Sequence, residues 1–196
     1  LVVAGKDATS NEVLIKKYTD PWDIVFHTDI TGSPFVVVKT DGKNPSMQCL
    51  REAAEFSAAF SRAWREGFAA ADVYWVKPNQ LSKAGSSGEY VSHGAFVVRG
   101  KRNWMRSTPL RIAIGALFKE ETDEVKFISG PLDAVKAKTR VYVTLLPGDI
   151  EGKELSRQIL REMAEKAPKE YKERILKASV EDVKRLIPFN RGRIET

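Results

Sequence analysis

The 196-residue sequence holds one cysteine, Cys49, and two histidines, His27 and His93. A single cysteine excludes an internal disulfide and points to a reducing, cytosolic setting. Two imidazoles and one thiol do not make a structural zinc set, which takes about four well-spaced ligands. No metal and no cofactor is therefore expected. Neither G-x-G-x-x-G nor G-x-x-x-x-G-K-[ST] occurs, so the usual phosphate-cradling nucleotide motifs are missing. No apolar run approaches the ~18 residues of a membrane span, and no secretory signal pattern opens the chain. Neither a membrane partner nor export is expected. Internal repeats and low-complexity linkers are absent as well.

What is present is an ordinary apolar fraction of 42% in a chain long enough to bury a core without staples. The chain opens on Leu1 directly in the strand-like run "LVVAG", which reads as a piece of a longer protein. "KDATSNEVLIKKY" follows as a helix capped by Asp7 or Ser10, with Val13, Leu14 and Tyr18 as its buried stripe. "DPW" turns the chain. "WDIVFHT" alternates, with Trp22, Ile24 and Phe26 on one side and Asp23, Val25 and His27 on the other. "SPFVVVKT" reads as the next strand. Ser46 to Phe68 is predicted as one helix from apolar and small residues three and four apart (Leu50, Ala53, Ala54, Ser57, Ser61, Trp64, Phe68). The small residues should let it lie close to a sheet. "DVYWVKP", "GAFVVRG", "LRIAIGALF" and "VKFISG" read as strands, the last three as an antiparallel meander, and "RVYVTLLPG" as a further strand. Helices are then expected from Lys153 to Ala167, Pro168 to Lys177 and Ser179 to Leu186, Ser179 capping the last, before a polar tail with a mobile end. A β-rich body followed by helices argues an α+β fold, mainly antiparallel sheet packed with helices and a helical C-terminal extension.

The net charge of +6 is unevenly spread. From Lys77 to Arg106 there are six cations (Lys77, Lys83, Arg99, Lys101, Arg102, Arg106) against Glu89 alone, a net of +5. Leu1 to Val76 is net −2, Ser107 to Ile150 balances, and Glu151 to Thr196 is net +3. So localised an excess is the electrostatic footprint of a polyanion partner, or else a solvated basic loop. If the strands flanking the loop pair, the cations meet at one sheet edge, where each can neutralise a phosphate. Tyr90 and Trp104 stand at polar, glycine-rich positions and are candidates to stack on unpaired bases; Trp104 is equally a candidate lid on the core. His27 and Asp29 share a strand face if the strand continues that far, either as a general acid/base pair or as a hydrogen bond that orders the turn at Gly32. Cys49, at the start of a helix in a mostly buried pattern, reads as an inert core cysteine.

The blocks "LVVAGKDATSNEVLIKKY", "DIVFHTDITGSPFVVVKT", "LREAAEFSAAFSRAW" and "VYWVKPNQLSKAGSSGEYVSHGAFVVRGKRNW" resemble, in order, the NFACT-R domain, the RNA-binding module of NFACT proteins. The resemblance covers roughly Leu1 to Phe118, which sets an expected RNA-binding core at 1–118 and an extension at 119–196 of the kind seen in archaeal-type members. It implies a binding module rather than an enzyme, within a cytoplasmic ribosome quality-control factor. Expected partners are tRNA, the large ribosomal subunit carrying stalled peptidyl-tRNA, and other domains of the same full-length protein. An RNA-acting enzyme using His27 and Asp29, or a protein-interaction platform, are the alternatives. Of the family's blocks, His-x-Asp-x-x-Gly falls on His27, Asp29 and Gly32. A second histidine common in relatives is replaced by Thr31, which weakens a catalytic or metal reading. "SRAW" falls on Ser61 to Trp64, and His27, Asp29 and Arg62 are expected as a structural or accessory polar site. "VKPxQxSK", "SGEY" and "RGKRNW" fall on the basic loop, so the expected RNA contacts are Lys77, Lys83, Tyr90, Arg99, Lys101, Arg102, Trp104 and Arg106.

Overall fold

The computed structural model describes residues 1–85, 91–119 and 124–195. Its elements run β1 (Val2–Ala4), α1 (Ala8–Lys17), β2 (Ile24–Thr28), β3 (Val36–Val38), α2 (Met47–Ala59), α3 (Arg62–Arg65), β4 (Ala70–Val76), β5 (Leu81–Ser82), β6 (Val97–Val98), β7 (Asn103–Pro109), β8 (Ile112–Phe118), β9 (Val125–Gly130), α4 (Leu132–Lys136), β10 (Tyr142–Glu151), α5 (Gly152–Lys166), α6 (Lys169–Leu176), α7 (Val180–Lys184) and β11 (Arg191–Ile194). This is an α+β protein with antiparallel sheets. The chain divides into two compact units, Leu1–Arg62 with Ala70–Thr108, and Ala63–Ala69 with Pro109–Thr196.

The first unit is built on a five-stranded sheet of order β1-β3-β2-β4-β7. Central β2 pairs antiparallel with β3 (Val25 opposite Val37) and with β4 (His27 opposite Tyr74). Being central, β2 is covered on both faces, so its alternation does not separate buried from exposed residues. Val25, Val37, Tyr74 and Val76 form one core with Leu14 and Phe35. Ile24, Phe26, Val36, Val38 and Val73 are equally buried. Helix α2 packs on β2, β3 and β4 and buries Ala53, Ala54, Ser57 and Ala58, small side chains that permit a close approach.

Asp7 caps α1. Its carboxylate accepts the Ser10 N–H at 2.8 Å while Ser10 Oγ accepts the Asp7 N–H at 2.9 Å, a reciprocal capping box. The expected stripe of α1 is narrower than the sequence suggested. Leu14 is buried, but Val13 and Tyr18 are exposed. The inward face is instead set by Asn11, whose side-chain oxygen accepts the Phe35 N–H at 3.1 Å.

The helix expected from Ser46 to Phe68 breaks after Ala59. Ser61 turns back with both N–H (3.1 Å) and Oγ (2.7 Å) donating to the Ala58 carbonyl, which caps the end of α2. The expected meander is also redrawn. The 95–98 run supplies β6, which pairs with β5 in a separate ribbon, Leu81 opposite Val98. Strand β8, assigned to the core from sequence, lies in the sheet of the second unit.

That sheet has the order β11-β10-β8-β9. The β8 residues Ile112, Ala113, Ile114 and Ala116 are buried, and α4 lies against the sheet so closely that a Cβ on Gly115 would come within 2.8 Å of Val135 Cγ1. Helix α5 buries Leu155, Ser156, Ile159, Leu160, Met163 and Ala164, the three-and-four spacing of one helical face, and packs on β10, α6 and α7. Full burial of each large side chain there stabilises by about 1.5–3 kcal/mol. Part of the polar tail forms β11, which pairs antiparallel with β10, Leu145 opposite Ile194; the last residue lies outside the described residues. Ser179 stands at the N-cap of α7 without a side-chain capping bond. No helix among the described residues is long and apolar enough to cross a membrane.

Candidate nucleic-acid interface

The ribbon of β5 and β6 carries the basic loop of the first unit. The pairing that would gather the cations is present, and one side chain organises it. After β4, Pro78 starts a 3-10 turn through Gln80. Gln80 Oε1 accepts the Lys77 N–H at 2.9 Å, and Gln80 Nε2 donates to the carbonyls of Arg99 (2.8 Å) and Lys101 (2.9 Å). The Arg99 N–H returns a bond to the Gln80 carbonyl at 2.8 Å. Between Arg99 and Lys101, Gly100 takes a φ of +74°, a left-handed turn that glycine adopts without a Cβ penalty. Lys77, Arg99 and Lys101 are thereby held by their backbones around one carboxamide with their side chains exposed. Among the described residues none of the three pairs with a carboxylate. The Arg99 guanidinium contacts only a neutral group, the Ala84 carbonyl, at 3.1 Å. The Lys77 ammonium contacts the Trp22 carbonyl, also at 3.1 Å.

The other three cations are placed differently. Lys83 is pinned inward: its ammonium meets Glu12 Oε2 at 2.8 Å and the Ser92 carbonyl at 3.1 Å, and stands 4.6 Å from the centroid of the Phe96 ring. Glu12 anchors the loop to α1. It also accepts the Gly94 N–H at 2.9 Å, pairs with Lys16, and contacts His93 Nδ1 at 3.1 Å. These partners, Lys16 foremost, hold its carboxyl down to about 2. Arg102 faces Asp29 at 3.4 Å, and Arg106 faces Asp72 at 2.5 Å. The Ser107 N–H and Arg106 keep the Asp72 carboxyl below its usual range. Exposed pairs of this kind are worth about 0–1 kcal/mol, so a phosphate competes readily for either arginine.

Trp104 is a lid rather than a free platform. It packs edge-on to Tyr74 (centroids 5.2 Å apart), and the Arg106 guanidinium stands 3.9 Å from its ring centroid. Arg102 lies 4.8 Å from the Tyr74 centroid, completing a stacked row on one face. Burial pushes the Tyr74 phenol up. Tyr90, the other expected stacking residue, lies outside the described residues.

His27 and Asp29 do not assemble as an acid/base pair. β2 ends at Thr28, and the Asp29 carboxylate turns to Arg102. His27 is stacked beside Phe35, with centroids 4.5 Å apart, and its Nε2 donates to the Ser33 carbonyl at 3.1 Å. Burial lowers its pKa and keeps it neutral. The Ser33 carbonyl that His27 bonds directly follows Gly32, which has a φ of +86°. Arg62 lies exposed at the first position of α3.

Two organising residues escaped sequence reasoning. Gln80 stands in the "VKPNQLSK" run right after a Pro-Asn turn, the one local signal that marked it. Glu12 had none for its role in the loop, since the loop residues it holds lie about 70 to 80 positions away in the chain.

A family model described as the NFACT protein RNA binding domain matches residues 1–100. The "Archaeal Rqc2 homolog aRqcH" of Methanocaldococcus jannaschii is 49% identical over 151 residues, covering 77% of this chain and 22% of the relative. The Drosophila melanogaster "Ribosome quality control complex subunit NEMF homolog" is 36% identical over 122 residues, 62% of this chain and 12% of that protein. A solved structure of the C-terminal part of the fibronectin/fibrinogen-binding protein from Streptococcus suis matches with a TM-score of 0.46 and 28% identity, covering 55% of this chain and 40% of that one. The chain thus spans about a fifth of the archaeal relative's length and about an eighth of the fly protein's. With half its length matched by the family model, in the stretch that contains Gln80 and the ribbon, the chain belongs to the NFACT protein RNA binding domain family.

Proposed function

We propose that the ribbon surface binds RNA backbone phosphates, with Lys77, Arg99 and Lys101 as the principal contacts and Arg102 and Arg106 as secondary ones. The carrying observation is the Gln80 cluster. It presents three cations that have no carboxylate partner among the described residues, on a backbone fixed by four hydrogen bonds. A fixed cationic cluster of this kind releases counterions when a polyanion docks, which gives affinity that falls with salt. Lys83 acts by holding the loop rather than by touching RNA. The module works by binding: its half-buried His27 is engaged with a backbone carbonyl, which favours the binding reading over an RNA-acting enzyme. Similarity to Rqc2 and NEMF proteins supports a place in a cytoplasmic ribosome quality-control factor. The RNA partners would be tRNA and the large ribosomal subunit carrying stalled peptidyl-tRNA, with further domains of the same protein alongside. The RNA-binding core is the first compact unit, Leu1–Arg62 with Ala70–Thr108, so the boundary expected at 118 moves back to 108.

A salt titration of tRNA and isolated large-subunit binding tests this. Lys77→Glu, Arg99→Glu and Lys101→Glu together should lower the slope of log affinity against log salt by about 2–3, at roughly 0.7–0.9 per lost contact. An unchanged slope in a folded triple variant would refute the assignment.

A further inference from the structure

Three of the four tryptophans offer the proposed phosphate-binding surface no free ring. Trp64 is buried, Trp75 is half-buried in β4, and Trp104 is packed under Arg106. Trp22 is the exception. It is 50% exposed, and among the described residues its ring contacts no other aromatic ring or cation. Its own carbonyl is the acceptor of the Lys77 ammonium at 3.1 Å. That bond leaves the charge intact and two ammonium donors unused.

The turn that carries Trp22 is held by hydrogen bonds. Pro21 precedes it and fixes its own φ. The fully buried carboxylate of Asp23 accepts the N–H groups of Asp20 (2.8 Å) and Thr40 (3.0 Å) and the ammonium of Lys39. Although burial opposes it, these bonds keep Asp23 ionised below its usual pKa. The Thr40 hydroxyl donates to the Trp22 carbonyl at 3.1 Å. Lys39 also pairs with Asp20, so both carboxylates of the turn share a cation and the local field is not left strongly negative. A large aromatic body is thus held in water on a fixed backbone, beside a lysine that has no acidic partner among the described residues. Ordering such a platform costs little on binding, because the turn is already hydrogen-bonded in place.

We propose that Trp22 is a base-stacking site, taking an unpaired nucleobase while Lys77 holds a neighbouring phosphate of the same strand. The inference rests on the phosphate-binding reading above and deepens it. It assigns this end of the surface to single-stranded, looped or terminal RNA, because a base inside a duplex has no free face to offer.

The test uses the 196-residue chain with a labelled, unstructured RNA 12-mer and a blunt-ended RNA duplex of the same length, at one salt concentration. Stacking is worth about 1–3 kcal/mol per base by alanine substitution, or roughly 5- to 150-fold. Trp22→Ala should therefore weaken single-strand binding by about tenfold, leave duplex binding within about twofold, and leave the salt slope unchanged. Trp22→Phe should restore most of the loss. Tryptophan emission of the unaltered chain should be quenched by the single strand, and that quenching should vanish in Trp22→Phe. Equal loss on both probes, no loss on either, or quenching that persists in Trp22→Phe overturns the assignment. Loss of large-subunit binding alone, with RNA binding intact, overturns it in favour of a protein contact. The glutamate triple variant separates the two readings. If it loses binding while Trp22→Ala does not, only the stacking site falls; if the unaltered chain binds neither probe, both fall.

Discussion

The Gln80 carboxamide and the Lys101 carbonyl meet at 2.9 Å across the base of the basic loop, and the same amide nitrogen reaches the Arg99 carbonyl. An uncharged side chain thus decides where three positive charges stand. Gln80→Leu keeps the volume and every charge but removes the side-chain bonds. At about 0.5–1.5 kcal/mol net per bond, and partly exposed, the loss should total about 1–2 kcal/mol of stability. RNA affinity should fall about three- to tenfold while the salt slope stays as it was. A slope that drops with the affinity would show that Gln80 matters through charge placement lost altogether rather than loosened.

Gly94 docks the far arm of the loop on α1. Its φ is +78°, and a Cβ there would sit 2.5 Å from Ala8 Cα. Gly42 has a similar φ of +75° with open space around it. Gly42→Ala should cost about 1 kcal/mol from backbone strain alone. Gly94→Ala adds a collision with backbone and should cost about 2–4 kcal/mol, measurable by denaturant unfolding. Equal costs at the two positions would mean that the loop is not seated as described.

Glu12 clamps the same loop through its charge. Its folded pKa of about 2 lies below the ordinary 4.5, so its contribution to stability is complete above about 4.5 and disappears as pH falls through about 2. Glu12→Gln should flatten the acid limb of the stability curve over that interval. Hydrogen exchange at Gly94 should quicken in the variant even at neutral pH.

Burial depresses the His27 pKa below 6.5. The unfolded chain takes up a proton that the folded chain refuses, so this contribution to stability is complete above about 6.5 and is lost progressively as pH falls below it. The slope from one such proton is at most about 1.4 kcal/mol per pH unit. The difference in unfolding free energy between the unaltered chain and His27→Gln, followed from pH 7.5 to 5, should therefore shrink as pH drops. A difference that stays constant would place His27 in contact with water.

In the second unit, Ile159 is fully buried on the inner face of α5. Ile159→Ala should cost about 2–4 kcal/mol through lost transfer and a residual cavity. At roughly 2–4 °C per kcal/mol for a chain of this size, the melting midpoint should fall by about 5–15 °C. RNA binding by folded protein should be unchanged, because the substitution lies outside the unit that carries the ribbon.

The sequence was most legible where a single element carries its own period. Helix α5 and strand β8 follow directly from apolar spacing and β-branched content. It was least legible where long-range partners decide. Nothing local in "NRGRIET" marks a strand, because β11 exists by pairing with β10 about 45 residues earlier. The break after α2 hides in a serine that reads equally well as a small helix-face residue. The same contrast runs through the candidate site. Counting charges located the basic loop and its flanking strands. It did not reveal that Glu12, Asp29 and Asp72 engage three of the six cations, since those carboxylates stand 34 to 73 positions from their partners. Nor did it single out Trp22, which an alternating pattern assigned to a strand face and the fold puts on a turn.

Trp64 is 1% exposed, and its indole nitrogen donates to the Arg191 carbonyl at 2.8 Å, although Trp64 sits between stretches of chain that build the other unit. The polypeptide lends a seven-residue insert to its C-terminal half in mid-course. A fragment starting at Pro109 would carry a vacant slot as large as an indole, and one stopping at Thr108 would leave that tryptophan without its pocket. A single cut between Thr108 and Pro109 therefore parts Trp64 from Arg191, the residue that accepts its indole hydrogen bond.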